Sequence, residues 1–224
     1  MKVETLNIKV QFTEPLLATA SGNKELHSEF QVARAAEFRG EQSEAELRKK
    51  IAEELGTMPP EEIIDKTSTV FVRDENGLFV WDYQWRGYFK EQVGALIELG
   101  DLEKISKWMY KRVVDNTLFI KPRRIYLREP DGAIIQVPHG SLERPLRAST
   151  MQGERVALAR SEFVRAGTRC EFQIHLLHST NKNSAWGALN LEVVQSALTM
   201  GGLKGTGQWR GGGWGTFTWE EAKA

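Results

Sequence analysis

The segment from Gly201 to Gly215 reads GGLKGTGQWRGGGWG, and eight of its fifteen residues are glycine. Glycine loses more backbone freedom on folding than any other residue. Concentrating it implies positive φ angles or close backbone approach. Amide groups uncovered by side chains can also cradle phosphate oxygens. Gly205, Gly207 and Gly211 are candidates for such a cradle, Lys204 and Arg210 add positive charge, and Trp209 and Trp214 offer flat faces for base stacking. The spacing of a phosphate-binding Gly-Lys-Ser/Thr loop is missing. The segment is not a dinucleotide fingerprint either, since a helix is expected before it and a strand after it.

A second concentration is electrostatic. From Lys104 to Arg128 there are eight basic residues and one acid, Asp115. Lys111, Arg112, Lys121, Arg123 and Arg124 make this stretch a candidate phosphate-tracking surface. Arg86 and Lys90, four apart in QWRGYFK at an expected helix start, share one helical face. Arg144 and Arg147 flank Pro145-Leu146 in an expected strand, where odd spacing puts them on opposite faces.

Catalytic signals are sparse. His139 lies in a loop sequence and is a weak acid–base candidate, as are Asp65 and His27. His175 and His178 are three apart in an expected strand, so they face opposite ways and make a poor metal pair. No His-Glu-x-x-His or Gly-x-Ser-x-Gly occurs. No metal and no cofactor is called for.

The elements that must position these residues can be read from periodicity. Leu6, Ile8, Val10 and Phe12 alternate with polar residues over 5–13, the pattern of a half-buried strand. Residues 23–66 lack that period and read as a helical insertion. Strands are expected at 69–73 and 78–81 around the turn Asp74-Glu75-Asn76-Gly77. A helix is expected at 84–99, closed by Gly100, and a second one, capped by Asp101, to about Arg112. Residues 117–127 read as a strand with Pro122 at an edge or bulge, and a hairpin turn at 129–132 leads into 133–137. Strands at 144–149, 155–163 and 168–178 precede a helix at 184–199, the glycine-rich loop 201–215 and a last strand at 215–219. The expected class is α+β with a mainly antiparallel sheet, in one domain over 1–224.

Composition narrows the function. Lys+Arg and Asp+Glu are 30 each, so a uniformly basic nucleic-acid coat is excluded and a local basic groove is not. Cys170 is the single cysteine of the 224 residues, which excludes an internal disulfide or a cysteine-based zinc site. The N-terminus alternates rather than forming an apolar run, and no stretch suits a transmembrane helix. A soluble, cytoplasmic protein with no membrane partner is the expectation.

In order along the chain, several segments resemble the RAMP proteins of CRISPR systems, most nearly the subunits that coat guide RNA in type III effectors. Val70-Phe71-Val72-Arg73-Asp74 resembles the family's apolar run ending in Arg-Asp. Gln84-Trp85-Arg86-Gly87-Tyr88-Phe89-Lys90 resembles its Ser-Leu-Lys-Gly helix start, with Arg86 at the lysine and Gln84 at the serine. Arg165 to Phe172 resembles its later Gly-Thr-x-Phe strand, and Leu203 through Phe217 its closing glycine-rich loop and strand. The resemblance implies a ferredoxin-like, RNA-recognition-type core and single-stranded or guide RNA as ligand. It implies copies of itself or other CRISPR-type effector subunits as partners. RNA-cutting members carry an Asp near the position of Ser68, where this chain has Thr67, Ser68 and Thr69, so the resemblance implies binding without cleavage. The chain is also similar to a group of bacteriophage and prophage proteins with the same QWR…GxFTWEE ending. Three other functions stay open: a metal-independent RNA endonuclease using His139 or His27, a phage inhibitor imitating a CRISPR subunit, and a phage assembly protein.

Overall fold

The computed structural model describes residues 2–23, 56, 68–150, 153–179 and 184–222. Apart from Asn23 and Gly56, the expected helical insertion at 23–66 lies outside the described residues. The chain divides into two compact units. One comprises Met1–Leu16, Phe79–Ile134 and Arg165–Ala224, and the other Leu17–Leu78 and Ile135–Val164.

In the first unit, strand β1 (Lys2–Phe12) buries Leu6, Ile8, Val10 and Phe12, the four residues that the alternation singles out. The chain then runs through β2 (Leu16–Leu17), β3 (Ala20–Ser21), β4 (Ser68–Val70), β5 (Val72–Asp74) and β6 (Gly77–Trp81) to helix α1 (Asp82–Leu99). Helix α1 buries Trp85, Tyr88, Phe89, Gln92, Val93 and Leu96, a stripe at the helical period. The aliphatic and Phe members alone stabilise the unit by about 1.5–3 kcal/mol each. Gly100, at φ 88°, ends the helix. Its N–H bonds to the Ile97 carbonyl and that of Asp101 to the Leu96 carbonyl, the double bond of a left-handed helix terminus.

The expected helix from Asp101 to Arg112 is instead a run of turns pinned by buried Leu102 and Ile105. There the Ile105 N–H bonds only three residues back, to Leu102, so no α-ladder forms. Helix α2 (Tyr110–Thr117) starts later and leads directly into β7 (Leu118–Lys121). The strand expected over 117–127 is interrupted by a cis Lys121–Pro122 bond and resumes as β8 (Arg124–Tyr126), which pairs with β6 through Phe79↔Tyr126 and Trp81↔Arg124. The turn at 129–132 is present, closed by Glu129 N–H to Ala133 O. The strand expected at 133–137 is reduced to one bridge, Arg128↔Ile134.

After β9 (Gly140–Thr150) and β10 (Gly153–Val164), strand β11 (Arg169–His178) returns to the first unit. The single helix expected at 184–199 is split into α3 (Ala185–Ala188) and α4 (Leu191–Thr199). The Asn190 side chain takes the N–H of Val193 at 3.0 Å and starts a new helix. A turn of helix, α5 (Gly201–Lys204), and the glycine segment precede β12 (Phe217–Glu221).

The strands of this sheet are ordered β12-β1-β11-β7, all neighbours antiparallel. Numbered along the chain within this sheet, that order is 4-1-3-2. Helices α1 and α2 connect the first and second strands, and α4 connects the third and fourth. This is the β-α-β-β-α-β ferredoxin-like arrangement. Its core is aromatic: the Trp85 ring lies 4.6 Å from Phe172 and 5.4 Å from Phe217, and Phe217 meets Phe12 edge-on at 6.1 Å.

The second unit is formed by two excursions from that core. Strands β9 and β10 form a hairpin, β10 pairs in parallel with β4, and β4 pairs with β3. The unit buries Val70, Phe71, Val72, Leu78 and Ile135. The molecule is thus α+β and mainly antiparallel.

Candidate nucleic-acid interface

Most of the cations singled out in the sequence are engaged with other parts of the protein. Arg86 lies 3.3 Å from Asp82 on the same helix, and Lys90 lies 2.6 Å from Asp115, tying α1 to α2. Gln84, at the serine of the family's helix-start motif, accepts the Trp81 N–H at 2.8 Å. It thereby takes the N-cap N–H, as the N3 residue of a capping box does. Arg123 sits over the Trp81 ring at 5.0 Å, and Arg124 over Phe79 at 5.5 Å and Trp81 at 5.8 Å.

The glycine segment is tied down at both ends. Thr206 N–H bonds to Gly215 O at 2.9 Å, and Gly215 N–H to Pro15 O at 3.0 Å. Gly205 and Gly215 have φ 67° each, and a Cβ on Gly215 would stand 2.0 Å from Thr206 O. A Cβ on Gly201 would stand 2.1 Å from the Phe217 ring. These glycines allow backbone to pass backbone and an aromatic ring to pack on a helix. Lys204 and Arg210 both reach Glu91 of α1, at 3.1 and 2.6 Å. Gly207 offers its carbonyl to Arg210 at 3.2 Å, while Gly211 belongs to a 3-10 turn, Arg210–Gly212. Trp209, held at φ 56°, stacks parallel to Trp214 with centroids 6.0 Å apart. The two indoles are therefore offset and overlap in part.

In the second unit, Arg144 is only 7% exposed, and burial lowers the pKa of its guanidinium. Arg147 pairs through its backbone with Val156. The Arg-Asp run is structural there: Glu162 accepts the Phe71 N–H at 2.8 Å and pairs with Arg73 at 2.9 Å. In the stretch around Ser68, the Ser68 carbonyl accepts the Gly22 N–H and the Thr69 hydroxyl bonds to Ser161. His139 is half-buried and donates its backbone N–H to Phe163 O at 3.0 Å. His27 and Asp65 lie outside the described residues. Among the described residues no cluster of three or more His, Cys, Asp or Glu is arranged to hold a metal.

Of the basic residues between Lys104 and Arg128, five remain exposed: Lys104, Lys107, Lys111, Arg112 and Lys121. Four occupy the turns before α2 and the first turn of that helix, which holds no acid. Lys121 ends β7 opposite Gln173 on the open side of the sheet. Amid the four stands Trp108, 95% exposed. Periodicity does not mark it; its one sequence signal is its place between Lys107 and Lys111.

No family model and no curated protein matches the chain. Among solved structures it is similar to a chain in the cryo-EM structure of the Type III-B Cmr-beta bound to cognate target RNA. The TM-score is 0.45 and the identity 9%, over 99% of this chain and 61% of that one. It is similar as well to a chain of a Type IV-B CRISPR complex, with TM-score 0.44 and 9% identity over 99% of this chain and 91% of that one. The protein thus spans about three fifths of the first of these chains. No helix among the described residues is long and apolar enough to cross a membrane.

Proposed function

We propose that this protein binds single-stranded RNA without cleaving it, as a RAMP-like subunit of an RNA-guided assembly. The observation that carries the reading is the set of exposed cations Lys104, Lys107, Lys111 and Arg112, none of which has an ion-pair partner among the described residues. A cation already paired inside the protein gains little from a phosphate, because the internal pair must first be broken. An unpaired one releases counterions from the nucleic acid directly. The ordered motifs of the sequence and the 4-1-3-2 sheet support the RAMP-like assignment, with effector subunits or further copies of this chain as partners. The built-in backbone and hydroxyl bonds of Ser68 and Thr69 at the place of the cleaving Asp support binding without cleavage.

The test is equilibrium binding of a labelled single-stranded RNA at several salt concentrations. The wild type is compared with a variant carrying Lys104→Gln, Lys107→Gln, Lys111→Gln and Arg112→Gln. Four phosphate contacts predict a log–log salt slope near about −3, which the variant should flatten almost completely. The RNA should be recovered intact. Binding that is absent or insensitive to salt overturns the reading, and shortened RNA replaces it with the endonuclease.

A further inference from the structure

We infer that Trp108 is a stacking platform for an unpaired base, so that the cations around it select single-stranded over duplex nucleic acid. The inference rests on that single-strand reading and deepens it, naming the residue that favours an unpaired strand over a duplex. Trp108 immediately precedes Met109, the residue that caps α2, and its side chain is 95% exposed. Met109, beside it, is also partly exposed. A bare indole on a water-facing turn contributes nothing to the fold's core. The turn does not depend on it either: buried Leu102 and Ile105 anchor the segment, and Ser106 O accepts the N–H groups of Met109 and Tyr110.

Charge complementarity identifies the occupant. Lys104 and Lys107 lie four and one residues before Trp108, and Lys111 and Arg112 three and four after it. All four are exposed. The nearest acids along the chain are Glu103, then Asp101 and Asp115; none pairs with these four cations among the described residues, and Asp115 is occupied by Lys90 at 2.6 Å. An apolar protein partner would gain the indole but would have to desolvate four cations. A single strand satisfies both at once, with phosphates on the cations and a base on the ring. A duplex keeps its bases stacked inside and offers the indole nothing. The other exposed tryptophan of the first unit, Trp209, lies parallel to Trp214, and the cation next to it is already paired with Glu91.

The deciding experiment compares a uridine-rich single-stranded RNA with a duplex RNA of equal length. Both are titrated against wild type, Trp108→Ala, Trp108→Phe and the four-cation variant. Trp108→Ala should weaken single-strand binding about fivefold or more with an unchanged salt slope, and Trp108→Phe should restore most of the loss. Neither change should affect duplex binding. If Trp108→Ala binds the single strand like wild type while the four-cation variant does not, the stacking inference is wrong and the phosphate reading stands. If wild type binds neither RNA, both are wrong. If Trp108→Ala weakens duplex and single strand alike, the indole acts through the turn and not through a base.

Discussion

Glu91 controls two of the cations in the glycine segment. Its carboxylate faces both Lys204 and Arg210 while about a quarter exposed. Glu91→Gln should leave both side chains unpaired. If they can reach bound RNA, the salt slope of binding should steepen by about one; an unchanged slope would place the segment outside the interface. The glycines of the same segment make a separate demand. Gly201→Ala puts a methyl group 2.1 Å from the Phe217 ring. We expect a loss of about 1–3 kcal/mol, measured as a lower urea midpoint at unchanged slope. Gly211→Ala, where nothing lies within 4 Å, is the matched control and should change little. Glycine enrichment alone could not separate these roles. An amide open to a ligand and a Cα with no room for a Cβ beside Thr206 O call for the same residue, and only the neighbour's position distinguishes them.

At the scale of elements, the best-predicted piece is α1, and its join to α4 tests the packing. The Tyr88 hydroxyl donates to Ala197 O at 2.6 Å in a buried setting. Tyr88→Phe leaves that carbonyl without its partner and should cost about 1–2 kcal/mol in urea unfolding, with the binding of RNA unaltered. Loss of RNA binding in a folded Tyr88→Phe protein would show that α4 positions the interface as well. The alternating burial of β1 and the helical stripe of α1 were legible because each follows a simple period. The turns at 101–109 and the break at Asn190 were not. Both hinge on a competition that periodicity does not record: a side chain or an i−3 carbonyl captures an N–H that a longer helix would use.

Over the whole molecule, burial links stability to alkaline pH. The Cys170 thiol is fully buried, and burial, followed by the charge of Glu171, pushes its pKa up; burial and then Glu91 do the same to the Tyr88 hydroxyl. Both groups are neutral when protonated. The unfolded chain therefore releases these protons at lower pH than the native one. Their contribution is whole below the thiol's ordinary range and falls as pH rises through it. The urea midpoint should drop between about pH 8 and about pH 10, and less steeply in Cys170→Ala. Equal drops in the two proteins would mean that the thiol contributes nothing.

The sequence by itself determined the α+β class, the strands and helix that carry a clean period, and the concentration of charge before and after β7. Those properties are local, because burial alternation and charge density depend on residues a few positions apart. Tertiary structure decided which cations are occupied. Lys90 meets Asp115 across 25 residues of chain, and Arg210 meets Glu91 across 119. It also decided the strand order 4-1-3-2 and the assembly of a second unit from two separate excursions. Coulomb attraction and backbone pairing act through space, and no spacing along the chain records which distant partner will be brought within reach.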